Sequence, residues 1–494
     1  MAQRRYVLSV DQGTTSSRAT VLDAKLRVCG VGQKEFTQHF PKPGFVEHDL
    51  TEIWETTEWC IARALKQAGI KGNELAAIGI TNQRETTGLW NRGTGKPLHR
   101  AIVWQDRRTS GFCAELKALG HEAKVKEKTG LVLDPYFSGT KLKWLLDEVK
   151  GAREKASAGE LCFGTIDTWL VFKMTGGASH VTDVSNASRT LLMDLRSLEW
   201  DDELCGLLSV PKNVLPRIAA SAEVYGMTRG MKSLPDGIPV SGMAGDQQAA
   251  LFGQACFTPG ESKCTYGTGA FLLMNVGDAP VASKAGLLTT VGWKLDGKTT
   301  YALEGSSFIA GAAVQWLRDG LRLIKDSSEV EALAKTVKSS GQVVFVPALA
   351  GLGAPHWRPD ARGLFAGIDR GTTRGHLARA VLEGIALQIQ DLAEAMKLDS
   401  GRDIPAFKVD GGAVKNDLLM QFQADILGTN VVRPKNVETT SLGAAFLGGL
   451  GVGFWKSADD IRKAWKADKV FKPKMSEGDR AQHLEKWREA VKRA

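Results

Sequence analysis

Short runs of β-branched and apolar residues recur along the chain, each closed by a polar, glycine-containing turn. The opening stretch sets YVLSV and ATVLD on either side of DQGTTSSR, which predicts two strands joined as a β-hairpin. Near the middle the plan returns, with ESKCTY, GTG and AFLLMNV reading as strand, tight turn and strand. Two openings of one kind, roughly 250 residues apart, predict two related domains. Between them strand and helix patterns alternate. LAAIGIT reads as a strand leading into NQRETT, and GTKLKWLLDEV carries the spacing of a helix. The second half alternates likewise through QVVFVPAL, HLARAVLEGIALQIQDLAEAMK and FKVDGGAVKNDLLMQFQADIL, the last with two glycines between strand and helix. The fold class is α/β. The boundary falls near residues 253–260, which gives domains at 1–253 and 254–450. A basic, helical segment at 451–494 lies outside the repeated plan.

Composition narrows the partners. With 494 residues, 43% hydrophobic and 24% charged, the chain can bury a large core and is neither disordered nor membrane-embedded. The apolar run after the N-terminal arginines is too short for a signal peptide. The weakly polar run from Ser441 to Phe454 holds five glycines in 14 residues, too short to cross a bilayer. Seven cysteines, all within the first 264 residues and with no CxxC pair, predict small apolar packing in a reducing compartment. A cytoplasmic location and no membrane insertion are expected. The net charge is +9, but residues 456–494 hold twelve Lys and Arg against seven Asp and Glu. That segment alone supplies +5, and a nucleic-acid partner would rest on charge only, so none is expected.

The chemistry sits in the turns. In Asp11-Gln12-Gly13-Thr14-Thr15-Ser16-Ser17-Arg18, a glycine lets backbone approach an anion, and hydroxyls, N–H groups and an arginine can meet phosphate oxygens. Asp11, at the strand's end, could hold Mg²⁺ through water. A plain polar hairpin turn explains the stretch equally well on its own. The Walker and GxGxxG patterns are absent. The second turn, Thr265 to Gly269, and Gly411-Gly412 at a helix entrance supply two more close-approach sites. Together the three favour a nucleotide clamp.

These turns resemble the phosphate and adenosine motifs of actin-like (ribonuclease H-like) ATPases, and the rest of the chain is similar to the FGGY carbohydrate kinases. Residues Tyr136 to Glu148 match that family's first signature. Gly363 to Ile368 and, seven residues on, His376 to Glu383 match its second. VDQGTTSSR, TNQRETT, TDVSNASRT, SGMAGDQQAALFGQ and TYGTGAF resemble, in order, blocks of the members that phosphorylate glycerol. The resemblance implies two actin-like ATPase domains flanking a cleft, with ATP and Mg²⁺ used to convert glycerol to sn-glycerol 3-phosphate. It implies Asp246 as the catalytic base. Arg84, Glu85, Tyr136, Asp246 and Gln247 would hold the polyol hydroxyls, with Trp104 and Phe271 flanking its carbons. Thr14, Thr15, Ser16 and Arg18 would face the β- and γ-phosphates, with Thr268 opposite. Gly311, Gln315, Gly412 and Asn416 would border the nucleoside, and Asp11 would aid the metal. A homo-oligomer, dimer or tetramer, is the family's implication.

Read singly, several of these residues have plainer explanations. Arg84-Glu85 could be a surface ion pair, Trp104 and Phe271 core, and Asp246 a turn or cap residue. The chain also departs from the pattern. Residues 230–237 have lost most of the glycines and the arginine of a loop that binds fructose bisphosphate in some bacterial relatives. No histidine lies between His180 and His356, where others carry a phosphorylated one. His356 and Arg358 stand where the family more often has tyrosine and aspartate. The competing readings are an FGGY kinase acting on a pentulose, gluconate or erythritol, and a non-catalytic actin-like protein.

Overall fold

The computed structural model describes residues 4–494. Two mixed sheets carry the molecule. The first contains β1 (Tyr6–Gln12), β2 (Ser16–Asp23), β3 (Val28–Glu35), β4 (Leu75–Asn82), β5 (Ala222–Met227) and β6 (Pro239–Gly245), in the order β5-β6-β4-β1-β2-β3. The second contains β7 (Ser262–Tyr266), β8 (Ala270–Gly277), β9 (Leu288–Leu295), β10 (Lys298–Ser307), β11 (Phe407–Asp410), β12 (Val431–Pro434) and β13 (Ala467–Phe471), in the order β9-β10-β8-β7-β11-β12-β13.

Set side by side, the two orders repeat, with β9 an additional edge strand of the second. Each begins with an antiparallel hairpin, β1/β2 or β7/β8, extended by a third antiparallel strand. Each then adds two parallel strands beside the first and ends on an antiparallel edge. Both expected hairpins are present, with tips at residues 13–15 and 267–269.

Helices cover the sheets: α1 (Leu50–Ala68), α2 (Ser138–Glu148), α3 (Asp246–Gly253), α4 (Gly311–Asp319), α5 (Arg374–Ser400), α6 (Asp417–Leu427), α7 (Thr439–Leu450) and α8 (Glu477–Arg493). α3 and α7 lie against each other between the sheets, and α7 packs across β1, β4 and β6 of the first. Here Ala249, Phe252, Leu273, Ala445 and Phe446 join a shared interior fed by both sheets. Glycine permits the approach: a Cβ on Gly443 would lie 1.8 Å from the Ala249 carbonyl, and one on Gly79 1.8 Å from that of Ala444.

Two expectations change. The segment after residue 450 is not simply helical and not outside the plan, because β13 pairs antiparallel with β12 as the edge of the second sheet. α8 then docks on the same unit, burying Trp487. His356 and Arg358 belong to that docking. His356 Nε2 and Trp487 Nε1 both meet Asp391 Oδ2 at 2.8 Å, and Arg358 donates to the carbonyls of Val491 and Ala494 at 2.9 and 2.5 Å. A cation at a helix C-terminus is favoured there by the negative end of the helix dipole. Among the described residues no helix is long and apolar enough to cross a membrane. All seven cysteines are unpaired.

Candidate active site

β4 is buried along its whole length, and the segment that leaves its C-terminal end, residues 82–87, is buried with it. Glu85 sits there with φ at +61°, in the left-handed region that a non-glycine residue enters only when its surroundings enforce it. The hydroxyls of Thr87 and Ser138 both donate to its carbonyl at 3.0 Å. Arg84 and Glu85 are 2% and 1% exposed, so they are not a surface pair.

Two residues the sequence did not single out complete their environment. Glu304, from β10, accepts from Arg84 through both carboxylate oxygens, at 2.5 and 3.1 Å. Arg189 donates to Glu85 at 2.6 Å and to Glu304 at 2.8 Å. Burial pushes the Glu304 carboxyl up, but the guanidiniums of Arg189 and Arg84 overcome it and hold the group at about 2. Burial dominates at Glu85 and leaves its carboxyl raised despite the same two arginines. A lone glutamate inside the buried half of β10 was the available signal, since such a charge needs a partner. Arg189 lay in the quoted TDVSNASRT block with nothing local to mark it.

Asp246 opens α3 and stands 3.2 Å from Arg84 Nε, with its side chain 32% exposed. Its carboxylate accepts from the Gln247 backbone at 2.7 Å. Burial raises its pKa, while Arg84 and Lys263 act against that rise. Lys263 is fully buried and donates to the Gln247 side chain at 2.5 Å. Tyr136 takes a hydrogen bond from Arg84 at 3.2 Å and meets Trp104 edge-on, 5.7 Å between centroids. The Phe271 ring lies 6.0 Å from the Arg84 guanidinium. Arg84, Glu85, Tyr136, Asp246, Gln247, Trp104 and Phe271 are thus brought together, with Trp104 and Phe271 only partly buried.

Trp104 links this group to the first hairpin tip, donating from Nε1 to the Thr14 hydroxyl at 3.0 Å. Side-chain amides shape that tip. Gln12 and Gln83 donate to the Gly13 carbonyl at 2.9 and 3.1 Å, and Gln38 to that of Thr14 at 3.0 Å. His48 bridges Gln83 and Gln38, and burial lowers its pKa to about 3, so it is a neutral link at physiological pH. The Ser16 hydroxyl accepts from Gln33 at 3.1 Å. Arg18 pairs with Gln33 and, across to the second domain, with Glu438 just before α7. Asp11 accepts from the Ser441 hydroxyl at 3.1 Å. Burial raises its pKa to about 6, against the pull of Arg18.

The second hairpin tip meets α4. The carbonyls of Gly267 and Thr268 accept from the amides of Gly311 and Ala310 at 2.9 and 2.8 Å. A Cβ on Gly311 would press on the Gly267 carbonyl at 2.6 Å. Gly411, at φ +91°, lies against Tyr266 at the same tip, and Gly412 faces open space. Thr268, Gln315 and Gly412 are exposed around it. A 3₁₀ turn, Gly412–Lys415, begins at the second glycine and precedes α6, so the entrance of that helix belongs to Asn416. Its side chain caps it, accepting from Leu419 N at 2.9 Å.

Comparison with known proteins agrees with this architecture. The N-terminal domain of the FGGY family of carbohydrate kinases matches residues 6–253, and its C-terminal domain matches residues 262–452. Glycerol kinase of Myxococcus xanthus is 72% identical over 496 residues, covering 100% of both chains. That of Deinococcus radiodurans is 59% identical over 494 residues, covering 100% of this chain and 98% of the relative. The crystal structure of Plasmodium falciparum glycerol kinase with ADP superposes with a TM-score of 0.93 at 39% identity, covering 100% and 99% of the two chains. Gluconate kinase of Lactobacillus acidophilus, 24% identical with a TM-score of 0.88 over 99% and 97%, shares the fold. The chain belongs to the FGGY family of carbohydrate kinases.

Proposed function

We propose that the chain transfers the γ-phosphoryl group of ATP to a terminal hydroxyl of glycerol, giving sn-glycerol 3-phosphate, with Asp246 as general base. Full-length identity of 72% to a relative named for that activity supports the reaction. The observation that carries the site is the Asp246 carboxylate, partly open and 3.2 Å from Arg84, at the junction of the buried charge cluster and the hairpin tips.

Phosphoryl transfer asks for positioning and charge neutralisation rather than covalent work by the protein. Arg84, Glu85, Tyr136 and Gln247 hold the hydroxyls, while Trp104 and Phe271 bound the three carbons. Asp246 takes the proton of the attacking hydroxyl, and Arg84 and Lys263 favour the ionised form that a base requires. Thr14, Thr15, Ser16 and Arg18 meet the phosphates from the first domain and Thr268 from the second. Gly311, Gln315, Gly412 and Asn416 border the nucleoside.

Mg²⁺ fits the donors present. Among the described residues no three His, Cys, Asp or Glu gather into a cage. A hydrated ion bound mainly to phosphates needs one or two carboxylates, and Asp11 offers one. Bound there with the nucleotide, the ion would supply positive charge against the phosphate oxygens. The unpaired cysteines support a cytoplasmic location. A dimer or tetramer belongs to the same proposal and is read by sedimentation. ADP release measured with glycerol, dihydroxyacetone, xylulose and gluconate tests the substrate: glycerol is expected to give the highest kcat/KM, and any other ranking overturns the assignment.

A further inference from the structure

Arg84 takes its orientation from a carboxylate of the other domain. Glu304 holds both terminal nitrogens in a fork, a geometry that fixes the plane of a guanidinium as well as its position. The same Oε1 that accepts from Arg84 accepts from Arg189, and Arg189 in turn grips Glu85. Glu304 is 1% exposed and lies in β10, whereas Arg84, Glu85 and Arg189 all belong to the first domain. Without that carboxylate, two buried guanidiniums would be left to share Glu85. Arg84 would also be drawn towards Asp246, the group that must stay available to the substrate hydroxyl.

We propose that Glu304 is a positioning residue, reaching across from the second domain to hold Arg84 directly and Glu85 through Arg189. Polyol binding thereby depends on how the two domains are placed. The inference rests on the reading of Arg84 and Glu85 as polyol ligands. The Glu304 carboxylate bonds Arg84 and Arg189 and, among the described residues, no side chain of Thr14 to Arg18 or of the second hairpin tip, so its loss is expected to act on the polyol side.

Glu304→Gln keeps the shape and removes the charge. Hydrogen bonds to charged groups are strong enough that loss of the fork is expected to raise KM for glycerol by roughly 10- to 100-fold, with KM for ATP changing less than about threefold. Glu304→Asp, which keeps the charge one methylene short, is expected to fall between this variant and wild type. The pair Arg189→Met/Glu304→Gln removes one charge of each sign and is read identically if the single variant does not fold. In the pair KM for glycerol stays raised, because the fork is still missing. A KM for glycerol within about threefold of wild type in the folded variants, or both KM values rising together, overturns the inference. Wild type assayed alongside separates the two claims: absence of glycerol-dependent ADP release there defeats the proposed function and this inference with it, whereas normal release there with an unmoved KM for glycerol in the folded variants defeats the role of Glu304 alone.

Discussion

Asp246 illustrates what one side chain can and cannot reveal. A loop aspartate is usually a cap, and this one does open a helix, yet its carboxylate also contacts Arg84 beside a buried charge cluster. Asp246→Asn preserves shape and the helix start, so folding is expected to be intact while kcat falls about 10²- to 10⁴-fold, the range of general-base catalysis. A near-normal kcat in a steady-state assay would remove Asp246 from that role. Asp11 makes a different prediction, about stability. Its pKa rises from 3.8 to about 6 on folding, so the folded state holds the proton more tightly than the unfolded chain. The contribution of Asp11 to stability should therefore fall as pH rises from about 4 to 6, with the cost, up to about 3 kcal/mol, fully present above that range. Asp11→Asn is expected to flatten this dependence and raise the urea midpoint at pH 7, while weakening use of Mg²⁺ and ATP. An unchanged midpoint would contradict the burial argument. The residues proposed to hold the polyol could be named only through the family's motifs. Arg84 and Glu85 carry no local mark of being buried, because the groups packed on them, Tyr136, Arg189 and Glu304, are distant in sequence.

The elements show the reverse balance. Both hairpins and the strand–helix alternation could be read from periodicity, since each depends on neighbours a few residues away. The weakly polar run at Ser441 to Phe454 looked like a poor membrane segment. It is mostly α7, buried because it lies between two sheets, and its glycines mark close backbone crossings. That role could not be read locally, because the surfaces that need glycine belong to Ala249 and to β4. It also reverses a helix-propensity rule. Gly→Ala in a helix ordinarily gains up to about 1 kcal/mol. At Gly443 the new Cβ would meet the Ala249 carbonyl at 1.8 Å, and overpacking of that kind costs about 1–3 kcal/mol. Gly443→Ala is therefore expected to lower the denaturation midpoint. Gly206→Ala, in the helix Asp202–Leu207 with open space around it, should leave the midpoint unchanged or raise it. Chemical denaturation of the two variants decides the matter, and equal behaviour would refute the close-crossing account.

At the scale of the molecule, the basic excess has a structural place. Cations of the last 39 residues meet acids of the second domain: Arg462 with Glu261, Lys469 with Asp417, and Arg488 with Glu394. These three pairs help fasten β13 and α8 to that domain. The pair that bridges the domains near the phosphate turn is another matter. Arg18, which we propose meets the phosphates, is held by Glu438, whose side chain is 56% exposed. An exposed pair is worth up to about 1 kcal/mol, so phosphate can displace it, but binding must first break it. Glu438→Gln should release Arg18 and lower KM for ATP by up to about fivefold, with a smaller effect at high salt as screening weakens the pair. Removing a negative charge near phosphate would also favour ATP directly, so the double variant is decisive. If Glu438 acts by occupying Arg18, its substitution has no effect on KM for ATP in an Arg18→Gln background. If it acts by simple repulsion, the fall persists there. Measured KM values for ATP in wild type, both single variants and the double variant complete the cycle, and a persistent fall would show that Glu438 opposes the nucleotide without competing for Arg18.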